Sequence, residues 1–199
     1  EEVIAVDKNP PKVEKCKNYV RDVSEMNSLD DIVDENTTIY HLAAKASVPE
    51  SVKNPIDDFN NTCFGIFQVL ETARKKNCKV IFPSTASIFD TSNKLPVTEK
   101  SFVKPSSPYG AAKAAGEAYC YVYNRCYGID VRVARMFSVY GIGMNRFFIH
   151  DVIKKIQTNN SELRLLGDGN QIRDYLYIDA VVEGLQIIAN YGLAGEDYN

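Results

Sequence analysis

The chain has 199 residues, 45% of them hydrophobic and 25% charged, with a formal net charge of −3. That is the size and composition of one ordinary globular domain with a core of its own. The small negative charge offers nothing to nucleic acid or an anionic membrane, and no apolar run approaches the roughly 18 residues of a membrane helix.

In chain order, "EEVIAVD" is a short apolar run ending in an acid, the pattern of a buried strand. Residues 18–23, "NYVRDV", read as a second strand, and "SEMNSLDDIV" over 24–33 as a helix with a capping serine. A strand is expected over 37–44. After Pro55 a long helix is expected over 56–76, with Phe59, Cys63, Ile66, Phe67 and Leu70 on one face. "KVIFPST" over 79–85 is the next strand. A proline-rich loop then leads to a helix from Tyr109 that ends at Gly128, a natural C-cap. A strand over 130–136, a helix over 146–157, short strands in "LRLLG" and "RDYLYI", and a helix over 179–192 complete the series, and the last residues, "EDYN", read as the start of another strand.

Strands alternating with helices predict an α/β fold, a doubly wound parallel sheet of the Rossmann-like kind. Such sheets bind ligands beyond the carboxyl ends of their strands. Asp7, Ala43, Ala44, Ser84, Thr85, Phe137 and Ser138 fall at those ends. An acid such as Asp7 hydrogen-bonds the adenosine ribose in dinucleotide folds and favours NAD over NADP; a solvated loop acid is the alternative. The glycine-rich phosphate loop that partners such an acid is expected about 20 residues upstream, before residue 1.

The five cysteines, Cys16, Cys63, Cys78, Cys120 and Cys126, are odd in number and lack CxxC spacing. That argues against a disulfide framework and a zinc site, and predicts buried thiols in a reducing compartment. No metal is expected. The opening stretch is not a secretory leader, so a cytoplasmic protein is expected. His41 reads as a packed residue at a strand end, and His150 as surface or core.

In "SSPYGAAKAAGEAY" (106–119), Tyr109 and Lys113 are the first bulky polar groups on a helix otherwise made of small residues. Four apart, they share one face. Alone, this spacing is far more often a surface pair. With "FPSTAS" upstream it reads as chemistry: an ammonium beside a phenol favours the phenolate and makes a base able to work near neutral pH.

The stretches "VIAVD", "HLAAKASVPES", "GIFQVLETARK", "VIFPSTASIFD", "SPYGAAKAAGE", "RMFSVYGIGM" and "LLGDGNQIRDYLYIDAV", in this order, span nearly the whole chain. Together they resemble the extended short-chain dehydrogenase/reductase family, in its nucleotide-sugar epimerase/dehydratase branch, and UDP-glucose 4-epimerase-like members in particular. The resemblance implies NAD as cofactor, a nucleotide-diphosphate sugar as substrate and a homodimer formed through the long helices. It implies an NAD-binding domain over 1–140 and 172–192, and over 141–171 the start of a smaller substrate-binding lobe. It makes Tyr109, Lys113 and Thr85 the catalytic residues. It places Asp7, Asp22, Val23, Ala43, Ala44, Lys45, Ser84, Tyr109, Lys113 and Phe137 along the cofactor, Lys45 standing where glutamine is more usual. It places Thr85, Ser87, Ser138, Asn145 and Arg173 along the substrate, Arg173 gripping the diphosphate, with an ion pair to Asp174 or Asp168 as the alternative. The family's usual asparagine three residues before Gly65 is Thr62 here.

Sugar 4,6-dehydratases of the family place an acid just after the catalytic Ser/Thr, and related decarboxylases tend to carry a glutamate. Here Ala86 and Ser87 follow Thr85. That favours reversible oxidation at the sugar C4, an NAD-dependent epimerisation. The alternatives are a dehydratase, decarboxylase or reductase of the family, or a non-catalytic nucleotide-binding relative.

Overall fold

A computed structural model describes residues 2–10, 15–90, 92–158, 163–165 and 167–199. Strands β1 (Ile4–Asp7), β2 (Lys17–Val20) and β3 (Thr38–Tyr40) precede a short helix α1 (Val48–Lys53). One helical stretch follows, from α2 (Pro55–Asp58) through a π-helical turn (Phe59–Phe64) into α3 (Gly65–Lys76). Then come β4 (Lys79–Thr85), a 3₁₀ turn (Ala86–Ile88), α4 (Pro108–Tyr127), β5 (Val131–Met136) and β6 (Ser138–Tyr140). The chain closes with α5 (Phe147–Thr158), β7 (Tyr175–Tyr177), α6 (Ile178–Tyr191) and β8 (Asp197–Tyr198).

Every strand pairing is parallel: β1 with β2, β6 with β7, and a four-stranded sheet in the order β3-β4-β5-β8. β4 shows why the sheet carries helices on both faces. Its successive side chains point to opposite sides. Val80 and Phe82 join Ile66, Val69, Leu70 and Ala73 of α3 and Cys120 and Tyr123 of α4 in one core. Ile81 instead packs with Ala134 and with Val181, Leu185 and Ala189 of α6. A strand apolar on both sides needs a helix layer on each, and a parallel crossover supplies it. The doubly wound reading therefore holds, and "EDYN" forms β8 beside β5.

Three elements differ from expectation. Residues 24–33 form turns, not a helix. The Asp22 carboxylate accepts the Ser24 N–H at 2.9 Å and its hydroxyl at 2.7 Å, and Asn27 has φ 60°. Such side-chain capture competes with helical hydrogen bonds. Leu29 still anchors the segment in the core, and Asp30 accepts from Thr72 at 2.9 Å. In "LRLLG", residues 163–165 are not a strand, and Leu166 lies outside the described residues. The helix over 56–76 widens to π geometry next to α4. None of the cysteines forms a disulfide among the described residues, but only Cys63, Cys78 and Cys120 are buried; Cys16 is half-buried and Cys126 exposed.

One buried ion pair ties α4 to the sheet. Arg135 on β5 donates to Glu117 at 2.7 to 3.2 Å, pairs with Asp197 of β8 and reaches the Glu99 carbonyl at 3.2 Å. Both partners of the first pair are about nine-tenths buried, so removing one leaves a charge short of compensation. Glu117→Ala should cost about 3 kcal/mol, the low end for a broken buried pair, because Asp197 remains. The check is a lower urea midpoint at unchanged slope; an unchanged midpoint would contradict it.

Candidate active site

The site begins with how closely α4 approaches β4. Ser107 caps the helix by accepting the Gly110 N–H at 3.1 Å, and Pro108 opens the first turn. A Cβ on Gly110 would stand 2.4 Å from the Ser87 carbonyl oxygen, and one on Gly116 2.8 Å from Cζ of Phe82. Only glycine permits either contact. This approach buries Tyr109 and Lys113 to 9% and 4% exposure.

Lys113 Nζ donates to the Pro83 carbonyl at 2.8 Å and lies 4.6 Å from the centre of the Phe82 ring. The ring face attracts the cation. Burial pushes its pKa down to about 8, while the Asp58 and Glu117 carboxylates are among the groups that pull it upward. Burial likewise pushes the Tyr109 phenol above its ordinary value; the Thr85 hydroxyl opposes this, Asp58 adds to it and Arg146 opposes it. Thr85 accepts the Ser87 N–H at 3.2 Å and donates to the Ser87 hydroxyl at 3.3 Å. Thr85, Ser87, Tyr109 and Lys113 are thus brought together by β4, the 3₁₀ turn and the first turns of α4. Ser84, beside them, is buried with no hydrogen-bond partner for its hydroxyl among the described residues.

A cleft of about 260 Å³ lies beyond the ends of β1 and β3, lined by Asp7, Asp22, Val23, Ala43, Ala44 and Lys45, with Lys8, Arg21, Leu42 and Asn61 among the rest. Its rim is charged. Lys45 is paired with Asp57, and Lys8 donates to Asn61 at 2.9 Å. Asn61 donates to the Asp57 carboxylate at 3.0 Å. The Asp7 carboxylate accepts the Asn9 N–H at 2.8 Å, and the Ser24 hydroxyl and N–H hold the Asp22 carboxyl below its usual range. A second cleft of about 480 Å³ shares Ala44 and Lys45 and reaches Asp57, Asp58 and Arg146.

The remaining expected residues lie apart from these clefts. Phe137 stacks on Phe89 at 6.4 Å, and Ser138 starts β6 opposite Tyr175. Asn145 and Arg173 are exposed, and Arg173 forms no ion pair with Asp168 or Asp174. His41 is buried against Phe82, and that burial pushes its pKa down to about 3. His150 is half-buried on α5. Among the described residues no group of side chains could hold a metal ion.

The sequence reading passed over Asp57 and Asp58. The signal was available for Asp58. The buried stripe Ile66, Val69, Leu70 and Ala73, extended upstream in helical steps, falls on Thr62 and then on Asp58. A carboxylate in an apolar stripe is a chemical statement.

A parallel α/β sheet with an acid-edged cleft past its strand ends places the chain in the dinucleotide-binding class. More narrowly, it belongs to the NAD dependent epimerase/dehydratase family, whose sequence pattern matches residues 1–199. It is 32% identical over 177 residues to the UDP-glucuronate 4-epimerase of Thermodesulfobacterium geofontis, covering 87% of this chain and 54% of that one. The structure is similar to the UDP-glucose 4-epimerase of Thermotoga maritima, solved with UDP-glucose (TM-score 0.89, 29% identity, 100% of this chain and 68% of that one). It is equally similar to the dTDP-glucose 4,6-dehydratase of Streptomyces venezuelae, solved with NAD and TYD (TM-score 0.89, 25% identity, 99% and 65%). The chain spans about half the length of the curated relatives it matches. NAD is the cofactor of this family, and nucleotide-sugar modification its enzymology.

The glycine contact carries a prediction. Gly110→Ala should force the Ser87 backbone away from α4, costing about 2 kcal/mol as overpacking. Turnover should fall by more than the loss of folded protein explains; unchanged stability and turnover would show that the approach is not required.

Proposed function

We propose that the full-length protein epimerises a nucleotide-diphosphate sugar at C4 through a transient 4-keto sugar, with NAD retained and not consumed. The observation that carries this is the gathering of Tyr109, Lys113 and Thr85, with no carboxylate at 86 or 87 where loss of water would need one. The absent acid favours epimerase over dehydratase.

The residues present fit the cofactor. Asp7 at the end of β1 offers acceptors to ribose hydroxyls, Asp22 and Val23 flank the adenine end of the cleft, and Ala43, Ala44 and Lys45 close its other wall. Near Lys113, the unpartnered Ser84 hydroxyl is free to meet the cofactor, with Phe137 beyond it. Bound NAD supplies the acceptor and later the donor of a hydride. Tyr109, as phenolate, removes the proton of the sugar C4 hydroxyl; Thr85 and Ser87 hold that oxygen. Lys113 stabilises the phenolate by its charge and offers N–H groups to ribose hydroxyls. After the keto sugar turns over, Tyr109 returns the proton to the opposite alkoxide. Ser138 and Asn145 lie along the substrate, and Arg173, exposed and without an acidic partner among the described residues, suits a diphosphate through its rigid fork of donors.

Residues 1–140 and 172–192 serve as the NAD domain and 141–171 as part of the sugar-binding lobe. The ends of β1 and β3 line one cleft yet do not pair, which leaves room for a further strand of the full-length protein bearing the phosphate loop. Exposed Phe64, Tyr119, Tyr121, Val122 and Tyr127 on the π turn and α4 support a homodimer through these helices. No helix among the described residues is long and apolar enough to cross a membrane, and the free cysteines support the cytoplasm.

The test is incubation of the full-length protein with NAD and, separately, UDP-glucose, UDP-N-acetylglucosamine and UDP-glucuronate, followed by NMR of the anomeric and C4 protons. A C4 epimer from one of them is expected, and Tyr109→Phe should lower its formation by at least about 10²-fold, the scale of one general base, while NAD still binds. A 4-keto product without epimer, or a fully active Tyr109→Phe, would overturn the proposal.

A further inference from the structure

Asp58 is the unexplained charge of this structure. It is 2% exposed, and neither of its carboxylate oxygens has a hydrogen-bond partner among the described residues. Three other buried polar groups lack one too among the described residues: His41 Nε2, Thr62 Oγ and Ser84 Oγ. Folded proteins rarely leave such groups unpaired. The elements that carry them pack on α4, the helix of Lys113, or share its Phe82 ring. His41 and Lys113 flank the same ring, Phe82. Ser84 follows Pro83, whose carbonyl takes the Lys113 proton donor. Asp58 and Thr62, one turn apart, sit where the helix widens to π geometry and packs on α4. A π turn inside an α-helix commonly marks a functional position.

We propose that Asp58 is a positioning residue of this site: its unpaired carboxylate keeps Lys113 an ammonium in a buried setting that would otherwise strip its charge, at a standing expense to the stability of the fold. The inference rests on the catalytic reading of Tyr109 and Lys113 given above. The physical conflict is plain. Lys113 makes one hydrogen bond among the described residues, to a carbonyl, and burial drives it towards the neutral amine. A neutral amine cannot stabilise a phenolate. Asp58 is one of the charges that oppose that drift. Its own carboxyl is pushed up by burial, and Asp57 adds to the shift, while the Lys113 and Lys45 charges work against it. The other groups facing this charge are Cys63 and Tyr109, with Arg146 near the phenol and Cys120, Glu117 and His41 near the ammonium.

The sign for stability follows. An acid whose folded pKa is raised favours the folded state fully below its unfolded pKa, and that contribution is lost as pH rises through the folded pKa. At neutral pH the ionised Asp58 therefore opposes folding, and an uncharged isostere should relieve it. A residue kept merely for structure would behave in the opposite way.

The experiment compares full-length wild type with Asp58→Asn, using three readouts. Lysine side-chain NMR, needing no turnover, should show the Lys113 titration moved down by about one unit, a tenfold loss of proton affinity. Thermal unfolding at pH 7 should move up by about 2 °C or more, and the gain should vanish below pH 4. With NAD and the substrate identified by the incubation above, the alkaline limb of kcat/KM should shift down by the same unit as Lys113. An unmoved Lys113 titration overturns the proposal, as does a variant that fails to fold or melts lower. A profile scaled in height with unmoved midpoints overturns it too. If Tyr109→Phe instead proved fully active, the catalytic reading would fail while the Lys113 titration still reported on Asp58.

Discussion

The approach of α4 to the end of β4 is the constraint on which the site depends. Gly110 and Gly116 have no Cβ because Ser87 and Phe82 occupy that space. Their absence lets the helix settle deep enough for Lys113 to pass over Phe82 and reach the Pro83 carbonyl. Tyr109 is set one turn back, beside Thr85. An extra methyl group at either glycine would lift the helix and separate groups whose interaction depends on ångström-scale distances. The Arg135–Glu117 pair fixes the same helix one turn further along, so apolar packing and a buried charge network hold α4 in register with the strand ends.

Burial has opposing effects here. It sharpens electrostatics by excluding water, yet it pushes Tyr109 towards the neutral phenol and Lys113 towards the neutral amine. Both shifts run against the proposed mechanism, in which the base is a phenolate beside an ammonium. The chain answers with charges and hydroxyls on neighbouring elements: Thr85 and Arg146 for the phenol, Asp58 and Glu117 for the ammonium. The positive nicotinamide of oxidised NAD would add to the first set. In the proposed mechanism, competence therefore belongs to the assembled site and not to the Tyr-x-x-x-Lys spacing.

Much of this was legible in the sequence, for stated reasons. "KVIFPST" was legible as a strand and the alternation of elements as a doubly wound sheet, and the small-residue run after Pro108 pointed to a closely packed helix. The turns at 24–33 were not legible, because Asp22 diverts the backbone by capturing Ser24. That competition is decided by where the carboxylate sits, not by the apolar periodicity of the segment. The cofactor-side residues Asp7, Asp22, Val23, Ala43, Ala44 and Lys45 were read from strand ends and resemblance, and one cleft collects them. Asp58 lies on the helical continuation of the buried stripe, yet "PIDDF" also looks like a solvated helix start; the packing of the π turn on α4 decides between the two.

The most direct measurement is the ionisation of Tyr109 in the full-length protein with oxidised NAD bound, followed by phenolate absorbance against pH and assigned by subtraction of the Tyr109→Phe signal. The account predicts one tyrosine titrating well below its ordinary value near 10 when NAD is bound, and above it when NAD is absent. A Tyr109 that stays above 10 in both states would contradict the claim that this tyrosine is the base.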